Sequence, residues 1–119
     1  MSEKLFDSEL KIMEILWEKG ALYAKDVCAI ANDRIGWNKN TTYTILNKLE
    51  RRGFICREEP GFLCTPLITR SYIQKCEIKN LLSRVFEGSR KSLFSALLDD
   101  EEITDDEIKE LYELIKMRR

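Results

Sequence analysis

The chain has 119 residues, 44% of them hydrophobic and 34% charged, which is typical of one compact globular domain or of a domain with a short helical extension. The sequence contains no histidine, which excludes Ser-His-Asp and Cys-His catalytic centres and every zinc site that uses histidine. We therefore expect neither an enzyme nor a bound cofactor or metal. There is no run of 18 apolar residues and no apolar signal region at the N-terminus, so we expect a cytoplasmic protein without a membrane span.

Charge is unevenly distributed along the chain, although the net charge is only −1. Residues 34–57 carry six basic side chains and one acidic side chain, whereas residues 99–107 carry seven acidic side chains and no basic one. A basic middle and an acidic C-terminal part predict one surface that faces phosphates and another with a different role. The alternative is two solvated surfaces without a partner.

Two helices are predicted in the first third of the chain. The first covers residues 7–19, with Asp7 as the N-cap and Gly20 as the terminating residue. Its expected buried stripe has the period of a helix and consists of Leu10, Met13, Leu16 and Trp17. The second helix covers residues 23–33 and is expected to bury Val27 and Ile30.

The third predicted helix lies between Asn38, a good N-cap, and Gly53, which suits a helix end. Apolar spacing predicts a buried face made of Thr42, Ile45, Leu46 and Leu49. The opposite face is rich in asparagine and threonine, which are poor helix formers, whereas an inert helix surface favours Glu, Lys and Ala. This face is therefore predicted to bind something.

A β-hairpin is predicted in residues 54–67, where two short β-prone runs flank Pro60 and Gly61, a pair that suits a type II turn. Pro66 is expected to end the second strand. Cys56 and Cys64 are expected to lie roughly opposite each other. With no CxC or CxxC spacing, they are interpreted as reduced hydrophobic filler, with a redox or metal switch as the alternative.

Three further helices are predicted after residue 69, in residues 71–88, 89–98 and 103–119. The last has the strongest local signal, because Thr104 and Glu107 form a capping box while Ile103 and Ile108 form a hydrophobic staple. We divide the chain into residues 1–68 and residues 69–119.

The order of three helices and a hairpin predicts a mainly α fold with a small β-hairpin wing, which is a winged helix-turn-helix followed by a helical dimerisation region. The third helix is narrow enough to enter the major groove of DNA. Asparagine can bond base edges, threonine can reach edges or phosphates, and lysine and arginine can neutralise phosphates. The predicted DNA-binding residues are Lys39, Asn40, Thr41, Tyr43, Thr44, Asn47, Lys48, Arg51 and Arg57.

Three segments of the chain resemble the penicillinase-repressor (BlaI/MecI/CopY) family of bacterial transcriptional repressors: "SELKIMEILWEKG", "NTTYTILNKLERRGFI" and "ITDDEIKELYELI". The resemblance implies a cytoplasmic repressor, linked to antibiotic resistance, whose winged helix binds a double-stranded dyad operator. It also implies that Tyr43, Thr44 and their outward neighbours face DNA. The C-terminal helices are expected to form a homodimer through Ile78, Leu81, Leu82, Val85, Phe86, Leu93, Leu97, Ile108, Leu111 and Ile115.

The resemblance further implies release by an inducing signal, with proteolysis by a membrane sensor-protease as one route. The β-lactam-responsive members are cut at an Asn-Phe bond, and the corresponding candidate cleavage region here is Ala96-Leu97. The copper-responsive branch uses a C-terminal CxC pair, and no such pair follows Cys76.

Two alternatives to this function remain open from the sequence. One is a thiol- or metal-responsive winged-helix regulator that uses Cys56 and Cys64. The other is a winged-helix adaptor that binds proteins and does not read DNA, although the basic balance of residues 34–57 disfavours it.

Overall fold

The computed structural model describes residues 4–118; residues 1–3 and 119, at the outer ends of the two predicted domains, lie outside the described part. The elements in chain order are α1 (Asp7–Lys19), β1 (Leu22–Tyr23), α2 (Ala24–Ile35), α3 (Lys39–Arg51), β2 (Ile55–Glu58), β3 (Leu63–Pro66), α4 (Arg70–Val85), α5 (Arg90–Leu98) and α6 (Asp105–Met117). This confirms the predicted fold class, a mainly α protein with a β-hairpin wing.

The chain forms two compact units, Met1–Glu77 and Ile78–Arg119. Their boundary lies inside α4, whereas the division predicted from sequence falls just before this helix, between residues 68 and 69. The first turn of α4 is fastened by Thr69, whose Oγ1 accepts a hydrogen bond from the Tyr72 N–H at 3.0 Å. The first half of α4 belongs to the same compact unit as the winged helix, and its Ile73 is part of the hydrophobic core of that unit.

The sheet has three antiparallel strands in the order β1-β3-β2. The hairpin strands β2 and β3 were predicted, but β1 was not. It contains only Leu22 and Tyr23, which pair with Cys64 and Leu63 respectively. Two residues are too few to show an alternating pattern in the sequence. The strand is defined by its pairing with β3.

Cys56 and Cys64 were predicted to lie roughly opposite each other, but the strand register differs from that pairing by one residue. The strands pair symmetrically about Pro60 and Gly61, and this symmetry places Cys56 opposite Thr65 and Cys64 opposite Arg57. Adjacent positions along a strand point to opposite faces of a sheet. Accordingly Cys64 is buried and Cys56 is half-buried on the other face.

The hydrophobic core of the first unit is built from α1, α2, α3 and the wing. Of the stripe predicted on α1, Met13 and Leu16 are buried but Leu10 and Trp17 are only half-buried. Because α1 contacts α2, α3 and β3, its buried arc is wider than one stripe and also takes in Ile12 and Ile15. On α2, Val27 is buried as predicted, whereas Ile30 is half-buried.

Helix α3 has the boundaries and buried face that its sequence predicted. The Oδ1 atom of Asn38 accepts a hydrogen bond from the Thr41 N–H at 2.8 Å, which confirms the N-cap. Gly53 follows the helix with a positive φ of 79°. Thr42, Leu46 and Leu49 are fully buried, and Ile45 is half-buried.

A buried carboxylate defines the start of α1. Phe6, rather than the predicted Asp7, is the N-cap, and Asp7 is the first helical residue. The reason is Glu9, which is fully buried and accepts a hydrogen bond from the Phe6 N–H at 2.9 Å through Oε1. This bond draws Phe6 into the cap position.

Arg52, just after α3, neutralises Glu9. Its Nη1 donates to Glu9 Oε1, and its Nη2 donates to the Lys4 carbonyl at 2.6 Å. Its guanidinium carbon lies 4.6 Å from the centre of the Phe54 ring and 5.6 Å from that of Phe6. A single side chain therefore ties the segment before α1 to the end of α3.

Side-chain N-caps define the starts of α5 and α6 in the second unit. Thr104 and Glu107 form the predicted capping box: the Thr104 N–H donates to Glu107 Oε1 at 2.9 Å, and the Glu107 N–H donates to Thr104 Oγ1 at 3.1 Å. Ser89 caps α5 by accepting from the Ser92 N–H at 3.0 Å. Neither α5 nor α6 contains a buried residue in its described part.

We expect Arg52→Ala to lower the free energy of unfolding by about 2–4 kcal/mol, because it leaves the buried Glu9 carboxylate without its counter-charge. Arg51→Ala is the matched control: Arg51 is exposed, and we expect a change within about 0.5 kcal/mol. Urea unfolding followed by circular dichroism measures both values. Equal effects of the two variants would show that the Glu9–Arg52 pair does not stabilise the fold.

Candidate nucleic-acid interface

Helices α2 and α3 form a helix-turn-helix joined by residues 36–38. Gly36 has a φ of 84°, and its N–H donates to the Ala31 carbonyl at 3.1 Å, which ends α2 in the left-handed conformation. The side chain of Asn32 donates to the Trp37 carbonyl at 3.0 Å. These two contacts define the turn, and α2 packs directly against α3.

The outward face of α3 carries eight of the nine predicted DNA-binding residues. Lys39, Asn40, Thr41, Thr44 and Arg51 are exposed, and Tyr43, Asn47 and Lys48 are half-buried. The Thr44 hydroxyl donates to the Asn40 carbonyl at 2.8 Å, so its oxygen still has a lone pair for an outside donor. The exposed polar groups are concentrated in the first half of α3, the end that helix-turn-helix proteins direct toward base edges.

Two lysines of this face lie against aromatic rings. The Lys39 Nζ atom is 5.8 Å from the centre of the Tyr43 ring, and the Lys48 Nζ atom is 4.8 Å from the centre of the Phe6 ring. Such contacts restrict the lysine stems without cancelling their charge. Both ammonium groups therefore remain available to an anion.

The wing contacts the outward face of α3 through Phe62. The Phe62 and Tyr43 ring centres are 5.9 Å apart, and the Arg57 guanidinium carbon lies 3.9 Å from the Phe62 ring centre. Arg57, the ninth predicted residue, is exposed in the wing, and its contact with DNA stays a prediction. However, its Nε atom also donates to Glu59 Oε2 at 2.7 Å, a pairing that was not predicted from the sequence.

The same contact favours the charged form of Glu59. The hydrogen bond from Arg57 lowers the pKa of the Glu59 carboxyl below its usual range, and such a carboxyl is ionised at neutral pH even without this contact. The Arg-x-Glu spacing on one strand end could have indicated the pair, but only the turn geometry brings the two side chains together.

Lys25 is a second residue that sequence reasoning missed. It lies on α2 and lines a shallow depression of about 360 Å³ together with Cys28, Ala29, Asn32 and Lys39. Its position in the first turn of α2 carries no signal in the sequence. The α2–α3 geometry places Lys25 and Lys39 at one depression, where both can meet a phosphate.

The residues predicted for dimerisation differ widely in exposure. Ile78, Val85, Leu97, Ile108 and Ile115 are exposed, Leu81, Phe86, Leu93 and Leu111 are half-buried, and Leu82 is buried with 5% of its surface exposed. Leu82 therefore packs within its own chain. Ala96 and Leu97, the candidate cleavage region, are both exposed on α5.

Within residues 4–118 there is no cluster of Cys, Asp and Glu side chains that could hold a metal ion. No helix of the described part is long and apolar enough to cross a bilayer. Cys56 and Cys64, on opposite faces of the hairpin, are poorly placed for a shared disulfide or metal.

A helix-turn-helix with an exposed polar second helix, followed by a hairpin that packs beside it, defines the winged helix-turn-helix class. The model of the Penicillinase repressor family matches residues 5–117, and the chain belongs to this family. This confirms the resemblance drawn from its sequence.

Similar proteins agree with this assignment. The chain is 24% identical to the penicillinase repressor of Bacillus licheniformis over 95% of its own length and 90% of that protein. It is 26% identical to the methicillin resistance regulatory protein MecI of Staphylococcus aureus, over 97% of its own length and 95% of that protein.

Two solved structures resemble part of the chain. The DNA-binding domain of the repressor BlaI matches with a TM-score of 0.54 and 25% identity, covering 60% of this chain and 93% of that domain. Bacillus licheniformis BlaI in its monomeric form, in complex with the blaP half-operator, matches in fold with a TM-score of 0.53 and 24% identity, covering 60% of this chain and 90% of that one.

We expect Cys64 to resist alkylation in the native protein. Burial raises the pKa of the Cys64 thiol to about 11, so only about one thousandth of it is thiolate at pH 8. Iodoacetamide at pH 8, followed by peptide mass spectrometry, should modify the half-buried Cys56 well before Cys64. In denaturant the two should react at similar rates, and equal rates in the folded protein would contradict the burial of Cys64.

Proposed function

We propose that this protein is a DNA-binding transcriptional repressor that binds a dyad operator as a homodimer and leaves it after an inducing signal. The observation that supports this most directly is the exposed polar face of α3, presented beside a wing in a chain of the penicillinase repressor family. Repression is steric, because a bound dimer covers a promoter. A protein that acts on the bacterial chromosome works in the cytoplasm.

The proposed DNA-binding residues fall into two groups, which contact bases and phosphates respectively. Asn40, Tyr43, Thr44 and Asn47 face base edges in the major groove and supply discrimination. Lys39, Thr41, Lys48, Arg51 and Arg57 meet phosphates, which supply most of the affinity and make it depend on salt. Lys25 joins the second group through its position beside Lys39.

The apolar surface of the second unit supports the homodimer. Its exposed side chains include Val85 (58%), Leu97 (46%), Tyr112 (59%), Leu114 (62%) and Ile115 (62%). So many large apolar groups exposed on one small unit indicate an interface with another chain. A second copy is the natural occupant, because a symmetric dimer matches the two halves of a dyad operator.

A groove in the second unit supports the same conclusion. It has a volume of about 550 Å³, and Leu97, Ile103, Leu111 and Leu114 contribute its apolar part. The other residues that line it are acidic: Asp100, Glu102, Glu107 and Glu110. The seven acids that the sequence places in residues 99–107 thus lie in part beside an apolar surface of the proposed dimer region.

We propose proteolysis in α5 by a membrane sensor-protease as the releasing step. Ala96 and Leu97 lie near the end of this nine-residue helix, which has no buried residue in its described part. Within its own chain this short helix is held by few contacts and opens locally at small free-energy cost, and a protease needs such opening. Because Leu97 also belongs to the proposed dimer surface, the cut requires that this surface opens as well. A cut there would separate α6 from the rest of the chain.

Arg51→Ala should weaken binding to all duplexes alike and lower the magnitude of the slope of log K against log salt by about 0.9, the value of one phosphate contact. Asn40→Ala is the contrasting variant: it should keep the slope and lose about 1–3 kcal/mol of discrimination between selected and random duplex. Fluorescence anisotropy over a salt series measures both. Wild-type protein that does not bind any duplex at low salt would refute the proposed function.

Ile115→Glu should convert a dimer into a monomer, because it places a charge in the apolar face of α6. Lys109→Glu, on the exposed surface of the same helix, should leave the dimer intact. Sedimentation equilibrium gives the mass of each variant, and circular dichroism checks that the helix content is unchanged. A monomeric wild-type protein at tens of micromolar would contradict the proposed homodimer.

A further inference from the structure

The Arg57 side chain is held on two sides in the wing. Its guanidinium stacks on Phe62 at 3.9 Å, and its Nε atom donates to Glu59 Oε2 at 2.7 Å. The other carboxylate oxygen of Glu59 accepts a hydrogen bond from the Phe62 N–H at 3.3 Å. One carboxylate thus bridges the turn backbone and the arginine that the proposed function assigns to a phosphate.

Arg57 differs in this respect from the other cations of the interface. Within the described residues, Lys39, Lys48 and Arg51 form no ion pair with a carboxylate, whereas the charge of Arg57 is already compensated. The wing strand and turn contain a further acid, Glu58, so residues 55–62 have more acidic than basic side chains. A wing of this composition does not attract DNA by its net charge.

We infer that Glu59 competes with the DNA backbone for Arg57 and thereby lowers the affinity of the wing for DNA. This inference rests on the proposed function and adds an intramolecular restraint to it. When a phosphate approaches, Arg57 has to exchange one anion for another, so the gain from the phosphate contact is reduced. The displaced carboxylate also remains close to a second negative charge, which opposes binding.

The structure also offers a contrasting role, in which Glu59 orients Arg57 toward DNA and so strengthens binding. The two roles predict opposite signs for the removal of the carboxylate charge. Glu59→Gln is suited to the test, because its amide oxygen can still accept from the Phe62 N–H while the ion pair is lost. The side chain of Glu59 is 59% exposed, so the variant should fold as the wild type does.

The test uses the full-length protein and a random-sequence duplex, to which binding depends on phosphate contacts. We expect Glu59→Gln to bind about two- to fivefold more tightly near 0.1 M salt and to increase the magnitude of the salt slope by up to about 0.9. Glu58→Gln removes the same charge from the neighbouring exposed residue and should give a smaller gain with an unchanged slope.

A double-mutant cycle identifies the residue through which Glu59 acts. In an Arg57→Ala background, Glu59→Gln should have no more effect than Glu58→Gln, because no guanidinium is left to release. The inference is overturned if wild-type protein binds duplex but Glu59→Gln binds it equally or more weakly, or if the gain persists without Arg57. A wild-type protein that binds no duplex at low salt overturns the proposed function itself.

Discussion

The burial of one face of α3 is the constraint on which the rest of the interface depends. Thr42, Leu46 and Leu49 have no exposed surface, and they pack against the core formed with α1, α2 and β2. The outward residues of α3 include Asn and Thr, which favour helix weakly. A helix of this length with such residues would be only marginally stable alone, so tertiary packing has to stabilise it. The residues on its exposed face therefore need not favour a helix themselves.

The wing depends on α3 through a second contact, the Phe62 side chain. Phe62 is buried, its ring lies against Tyr43, and its carbonyl accepts a hydrogen bond from the Ala24 N–H at 2.9 Å. At Gly61 a Cβ atom would come within 3.2 Å of the Tyr23 ring, so only glycine fits this turn without a shift of the ring. The wing is therefore fixed relative to α2 and α3, and Arg57 is positioned with it.

Most of the architecture could be predicted from the sequence because it rests on local signals. The Asn38 cap, the Thr104 capping box and the spacing of Thr42, Leu46 and Leu49 are each readable within a few residues. The failures involve contacts between distant segments. Strand β1 exists only through β3. The Phe6 N-cap is held by the nearby Glu9, but the burial of that carboxylate depends on Arg52, which follows α3.

The candidate site shows the same limit. The outward face of α3 could be predicted from helical periodicity, and the exposures of Asn40, Thr44 and Arg51 agree with it. Lys25 and the Arg57–Glu59 pair could not, because their roles depend on how α2 and the turn of the wing are placed in space. The basic charge of the segment suggested that Arg57 contacts DNA phosphates. Only the folded hairpin shows that Arg57 already contacts another anion, the Glu59 carboxylate.

Under the proposed function, in which the protein binds one operator and later leaves it, that pairing affects how tightly DNA is held. Phosphate contacts strengthen binding to every sequence, so each added contact raises the occupancy of wrong sites as much as that of the operator. A carboxylate that restrains Arg57 lowers this sequence-independent part of the affinity and leaves unchanged the base contacts that we propose for Asn40 and Thr44. In this view Glu59 weakens specific and non-specific binding by the same factor, so their ratio stays the same. The weaker phosphate contact shortens the residence time on DNA that an inducing signal has to overcome.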